Sequence, residues 1–384
     1  MISPTGANVV CTNKLEYAPD GERIFYLPGY FNKINVPLKK TSKIIPITGF
    51  DGSRQALLIK PGANLYIQVN TSCNAKCPNC LLKYKGKSVS KGCLPISKKI
   101  FKALKFASEH MNIHNCSITG GEPSLLKERL IELVRILPKN FENITLFSNG
   151  SQLLSKINGD TTLLEVLISE GLASLVLNCV HPNEKMRANF ITPLVTNKEY
   201  YKMSEICKDN LIDVRLSWVF DNKDMNQNKT EEKIRELVNL GSYLNVPEMI
   251  LRIPTPIIKS KSNERLKSRK LWAKCRKYLD NFSTPEVIRR SVKTRAYYKI
   301  NKSILILEVY HEPKNMKTDA GTIMLFSGAN PQEIHMSYRW YNGVKSYSIN
   351  YESKPWAKRS FFRKAQRTED PYERVLRELI NVRN

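Results

Sequence analysis

From residue 63 onward the chain alternates short apolar runs with longer amphipathic stretches, and that rhythm restricts it to a fold built from βα units. The runs are Leu65–Val69, Cys116–Thr119, Ile144–Phe147, Ser174–Val180, Val214–Phe220 and Met249–Ile253. Helical stretches lie between them at Ser97–Met111, Ser124–Leu137, Thr161–Leu172, Asn197–Asn210 and Thr230–Leu244, with a sixth at Ser262–Leu279. Strands separated by whole helices pair in parallel, because only a long crossover returns the chain to the same sheet edge. Six units without a break predict an α/β fold, a partial (β/α)6 TIM-like barrel. Ser97 and Thr230 are placed as helix N-caps, since their hydroxyls accept from otherwise unpaired first-turn amides.

The flanks read differently. Residues 1–62 are irregular, with Pro19, Pro28, Pro37, Pro46 and Pro61, and are expected to form an N-terminal extension packed on the core. After Thr284 the pattern turns to strands, at Ile304–Tyr310, Thr322–Phe326, Glu333–Trp340 and Val344–Tyr351, with Asn342-Gly343 as a hairpin signal. A basic segment and a short helix near Pro371–Ile380 follow. The expected organisation is an extension at 1–62, a (β/α)6 core at 63–283 and a C-terminal antiparallel β-rich region at 284–384 that closes the core.

Composition narrows the class. A hydrophobic share of 41% supports a packed core and excludes a disordered chain. No apolar run approaches the ~20 residues of a membrane helix, and Met1-Ile-Ser-Pro-Thr-Gly is no secretory leader, so a soluble, cytoplasmic protein without membrane insertion is expected. The 61 Lys and Arg outnumber the 35 Asp and Glu by 26, a balance that favours polyanionic partners. Nine cysteines is an odd count, and three of them crowd into Cys73-Asn-Ala-Lys-Cys77-Pro-Asn-Cys80, which points to a metal-type cluster rather than a disulfide framework.

That loop follows the first strand of the series. Three soft thiolates on one loop suit an iron–sulfur cluster, and three ligands rather than four leave one iron open to an outside ligand. A structural zinc site is the alternative; it needs a partner pair, and the chain has no second Cys-x-x-Cys.

The spacing Cys-x3-Cys-x2-Cys after Leu65-Tyr-Ile-Gln-Val-Asn resembles the radical S-adenosylmethionine (radical SAM) enzymes. The resemblance implies that Cys73, Cys77 and Cys80 hold a [4Fe–4S] cluster whose fourth iron is chelated by S-adenosylmethionine. An external electron donor such as flavodoxin or ferredoxin would reduce it, and a 5′-deoxyadenosyl radical would then abstract hydrogen from a substrate. Asn79 stands where relatives commonly carry an aromatic residue. Thr119-Gly120-Gly121-Glu122-Pro123 is similar to the family's cofactor-binding Gly-Gly-Glu-Pro turn, which implies backbone and Glu122 contacts to the cofactor's amino group. Phe147-Ser148-Asn149-Gly150 is similar to a third turn near the cofactor, placing Ser148 and Asn149 there, and Asn178 on the fourth strand stands near a polar contact of relatives. On the fifth strand Arg215, Ser217 and Val219 share one face by alternation. Relatives use that strand for cofactor ribose or carboxylate, so Arg215 and Ser217 are expected there, with a buried ion pair as the other reading of Arg215. Arg252 on the sixth strand is read the same two ways, for a substrate anion. The resemblance covers about half the chain and assigns no proton or electron donor to the substrate radical.

Cys116 and Cys179 read as buried small hydrophobes, and His110, His114, His181, His311 and His335 as surface or capping residues. For the substrate, the basic run Lys259–Lys277, the C-terminal basics and Tyr338, Trp340, Tyr347 and Tyr351 favour a nucleotide, a nucleic acid or another anion. The alternatives are a peptide-modifying enzyme without auxiliary clusters and a non-catalytic iron–sulfur scaffold.

Overall fold

The structure, a computed structural model, describes residues 43–49, 54–78, 80, 96–111, 113–220, 227–253, 262–289, 293–310, 320–327, 334–337 and 347–349, with four two-residue strands before residue 35. Each expected strand of the core is present: β2 Arg54–Gln68, β3 Asn115–Thr119, β4 Asn143–Ser148, β5 Ser174–Asn178, β6 Asp213–Val219 and β7 Glu248–Ile253. β1 (Lys43–Gly49) precedes them as an antiparallel partner of β2. The helices are α1 Lys98–Lys105, α2 Lys127–Ile136, α3 Leu163–Ser169, α4 Asn197–Asp209, α5 Gln227–Tyr243 and α6 Ser262–Leu279. β2 to β7 pair in parallel in sequence order, as short connections between consecutive βα units favour.

Two faces of this sheet differ in chemistry. Leu65, Ile67, Ile118, Leu146, Leu177, Leu216, Trp218, Leu251 and Leu307 are buried on the face covered by helices. Each helix answers with one apolar stripe, for example Ile100, Ala103 and Leu104 in α1 and Leu271, Cys275 and Leu279 in α6. The other face carries Asn64, Tyr66, Gln68, Thr119, Phe147, Asn178, Ser217 and Arg252. This face curls upon itself. In a flat sheet β4 and β7, three strands apart, would be separated by about 14 Å, yet the Arg252 guanidinium lies 5.9 Å from the centre of the Phe147 ring. The strand order is open among the described residues, so the architecture is the expected partial barrel.

The strands after residue 284 do not stand apart from the core sheet. β8 (Glu286–Arg289), β9 (Lys293–Ile300) and β10 (Ser303–Tyr310) form an antiparallel run whose last member joins β7 in parallel. β11 (Ala320–Ser327) joins β2 in parallel at the other side of the core and continues antiparallel into β12 (Ile334–Ser337) and β13 (Tyr347–Ile349). The chain thus extends both edges of the six-stranded core. The expected Pro371–Ile380 helix lies outside the described residues.

Local signals differ in two places: Ser97 stands at the N-cap position of α1, but its side chain makes no capping hydrogen bond. Thr230 is no N-cap: α5 starts a turn earlier, at Gln227, and Thr230 is a buried residue within it. Thr162 and Thr196 are effective caps, each accepting from the amide three residues on, while Glu165 and Glu199 reach back to close a capping box.

Candidate functional site

At the C-terminal ends of β2, β3 and β4 the three segments singled out by sequence are bound to one another. The Gly121 amide donates to Asn70 O at 2.9 Å and to Asn70 Oδ1 at 3.0 Å. The Glu122 amide donates to Ser72 O at 2.8 Å, and Asn70 Nδ2 donates to Glu122 O at 3.0 Å. A Cβ on Gly121 would stand 1.9 Å from Ser72 O, and one on Gly120 2.6 Å from Asn70 O. The glycine pair therefore serves a close approach of the chain to itself: it lets the cysteine loop dock on the end of β3.

Glu122 is buried to 1% exposure, and its carboxylate is occupied. Oε1 accepts from Ser124 N at 3.0 Å, Ser124 Oγ at 2.6 Å and Ser148 Oγ at 2.7 Å; Oε2 accepts from Asn149 N at 2.7 Å. Burial pushes its carboxyl above the ordinary range, and these donors pull it back. Glu122 thus caps the turn Pro123–Leu125 and ties β3 to β4. An ammonium contact through this carboxylate, as the resemblance implies, is not what its geometry provides. Ser148 is likewise committed, to Glu122 and, as acceptor, to Gly150 N at 3.0 Å.

The cysteine loop is clamped from two further sides. Asn149 Nδ2 donates to Asn74 Oδ1 at 2.9 Å, and Asn74 Nδ2 donates to Ser151 Oγ at 2.9 Å and to Thr192 O at 3.1 Å. Lys76 N donates to Phe190 O at 2.6 Å. Cys73 is exposed, and Cys77 and Cys80 are half-buried. Among the described residues no three His, Cys, Asp or Glu side chains converge on a single ion. Three thiols on one anchored loop, one exposed and two half-buried, are donors of the soft type that iron–sulfur clusters take.

The remaining thiols of the core are inert by burial. Burial pushes the Cys116 thiol up, and those of Cys179, Cys207 and Cys275 up to about 12. Near the ordinary thiol value, about pH 8.5, iodoacetamide is expected to modify Cys73, Cys77 and Cys80 in the native chain and to spare these four. Peptide mass mapping checks this, and early labelling of Cys207 or Cys275 contradicts it.

On the inner face, Asn178 and Ser217 are register partners on β5 and β6. Ser217 is 1% exposed, and its Oγ has no hydrogen-bond partner among the described residues. Arg215 takes the second of its two expected readings, an ion pair, in place of a position beside them. It lies in the N-terminal half of β6, in ion pairs with Asp213 and with Glu248, the latter at 3.8 Å. Two carboxylates at the strand starts hold it there, away from the cysteine loop at the strand ends. Arg252 Nε and Arg295 Nε both donate to the fully buried Glu308, at 3.1 and 2.6 Å. His181 is a buried cap, accepting from Asn183 N at 3.1 Å and packing edge-on against Trp218.

Sequence reasoning passed over four residues that hold the site: Asn70, Asn74, Tyr200 and Arg187. Asn74 had a signal, a polar side chain directly after the first cysteine. Arg187 had none, because its burial arises from packing between distant segments.

Residues 67–249 match the family model described as the radical SAM superfamily. No curated protein sequence matches the chain. Among solved structures, SuiB of Streptococcus suis bound to S-adenosylmethionine is similar at 15% identity over 83% of this chain and 68% of that one, with a TM-score of 0.48. SuiB bound to its precursor peptide SuiA is similar at 19% identity over 52% of this chain and 40% of that one, with a TM-score of 0.37. Coproporphyrinogen III oxidase (HemN) from Escherichia coli, a radical SAM enzyme, is similar at 12% identity over 71% of this chain and 66% of that one, with a TM-score of 0.39. The match to peptide-bound SuiB thus spans well under half of that chain.

Proposed function

We propose that the chain, whose residues 67–249 match the radical SAM superfamily model, is an enzyme of that superfamily that binds a [4Fe–4S] cluster on Cys73, Cys77 and Cys80 with S-adenosylmethionine beside it. Held by Cys73, Cys77 and Cys80 and reduced by an external donor of the flavodoxin or ferredoxin class, such a cluster would supply the electron for reductive cleavage of S-adenosylmethionine and so the radical chemistry that takes hydrogen from a substrate. The chain's own residues prepare the site. Gly120 and Gly121 present backbone acceptors for the cofactor's ammonium group. Glu122 and Ser148 hold that turn against Asn149, and Asn149 holds the cysteine loop through Asn74. Asn178 and Ser217 offer a side-chain amide and a buried hydroxyl to the cofactor's sugar. The observation that carries the reading is the anchorage of the cysteine loop on the Gly120–Glu122 turn.

The substrate in this reading is anionic, a nucleotide or nucleic acid. Arg252 and Arg295 bring two guanidiniums to the inner face, 23% and 19% exposed, with Arg252 beside the Phe147 ring. Outside, α6 buries Ser268, Leu271, Cys275 and Leu279 and turns Lys267, Arg269, Lys270 and Lys277 to solvent, which suits a phosphate backbone. The test is anaerobic reconstitution with iron and sulfide, then dithionite and S-adenosylmethionine, with 5′-deoxyadenosine as readout. Wild type is expected to form product and Cys77→Ala none, with added RNA or DNA raising the wild-type rate. Uptake of zinc in place of a cluster overturns the reading; indifference to nucleic acid overturns its substrate half.

A further inference from the structure

Arg187 is fully buried, in the one-turn helix Glu184–Arg187. Its guanidinium donates to His181 O at 2.9 Å, Val195 O at 2.6 Å, Pro182 O at 3.0 Å and Asn197 Oδ1 at 2.9 Å. It also lies 4.6 Å from the centre of the Tyr200 ring. Every one of these partners is neutral. Burying a cation without a counter-charge is among the most costly arrangements in a protein, and buried charges are ordinarily paired or serve a charged ligand. The hydrogen bonds hold the segment 181–197, whose Phe190 and Thr192 carbonyls grip Lys76 and Asn74. The Tyr200 hydroxyl donates to Asn149 O at 3.0 Å, which leads to Asn74 by the opposite route. The Cys179 thiol and the Tyr200 hydroxyl each sit within electrostatic reach of both Arg187 and Cys77.

We propose that Arg187 is a positioning residue for the cysteine loop and the buried counter-charge of the cluster that loop binds, raising the cluster's reduction potential. The inference rests on the cluster reading above. Three thiolates outweigh the positive charge of the cluster core, so the assembly is anionic. The electron that passes from the external reductant, which is oxidised, makes it more so. A fixed cation in a medium of low dielectric favours the more negative state.

The test is a redox titration of the reconstituted protein, followed by the electron paramagnetic resonance of the reduced cluster, with iron and sulfide content measured in parallel. Asn197→Asp sets a carboxylate where an amide oxygen already accepts from Arg187, so it cancels the charge and keeps the hydrogen bonds. Arg187→Gln removes the charge, and Arg187→Lys retains it. Asn197→Asp and Arg187→Gln are expected to lower the reduced-to-oxidised ratio at fixed potential at least tenfold, about 59 mV for a one-electron couple, while Arg187→Lys stays near wild type. An unchanged potential in Asn197→Asp, or equal shifts in Arg187→Lys and Arg187→Gln, overturns the proposal and leaves the cluster reading intact. A wild-type chain that takes up no cluster overturns both.

Discussion

Gly121→Ala is expected to abolish cluster loading while the rest of the sheet still folds. The added methyl would sit 1.9 Å from Ser72 O and 2.4 Å from Ser72 C, both backbone atoms, so no side-chain rotation relieves the clash. The loop must lift off the end of β3, breaking the Gly121–Asn70 and Glu122–Ser72 hydrogen bonds that dock it. Forced insertion of a methyl group into packed structure costs about 1–3 kcal/mol, and the lost hydrogen bonds add about 1 kcal/mol each. Iron content after reconstitution and urea unfolding measure the two effects. Full iron loading in Gly121→Ala would mean that loop docking and cluster assembly are independent.

Glu122→Gln is expected to cost about 3 kcal/mol, a large loss for an isosteric change. The carboxylate accepts from backbone amides at both oxygens, Ser124 N at one and Asn149 N at the other. Either orientation of a glutamine amide sets its NH2 against one of those N–H groups, and a buried donor loses its acceptor. Serine hydroxyls can rotate to adapt; backbone amides cannot. Because burial raises the Glu122 pKa, its stability contribution is complete below the ordinary carboxylate range and declines as pH rises through the shifted value. The unfolding free energy of Glu122→Gln is therefore expected to lose that part of the wild-type pH slope. A variant as stable as wild type, with the same slope, would remove Glu122 from the brace.

These two variants show where reading by residue type falls short. A Gly-Gly-Glu turn after a strand looks like a ligand-facing element, with glycines making room and a carboxylate awaiting a cation. In the folded chain the room is taken by Asn70–Ser72 and the carboxylate by four donors from β4 and its own turn. What remains for a cofactor is the backbone. Arg215 is a similar case. Alternation correctly set it on the inner face, but its pairing with Asp213 and Glu248 depends on carboxylates that meet only when two strands align, which alternation does not reveal.

The sequence alone determined the periodic core and the cysteine loop: six strands, their order and their parallel pairing follow from local apolar spacing and crossover length. The burial of Cys116 and Cys179 follows too, since a small apolar thiol within or just after a short apolar strand packs into the core. Only tertiary structure decided how the flanking strands extend both edges of that core, which polar side chains remain available and which are consumed by the chain itself. It also decided that Arg187 lies buried among carbonyls beneath the cysteine loop. Local signals depend on neighbours within a few residues. The satisfaction of a buried donor or charge depends on partners brought together from segments tens of residues apart, and those partners exist only once the sheet has curled.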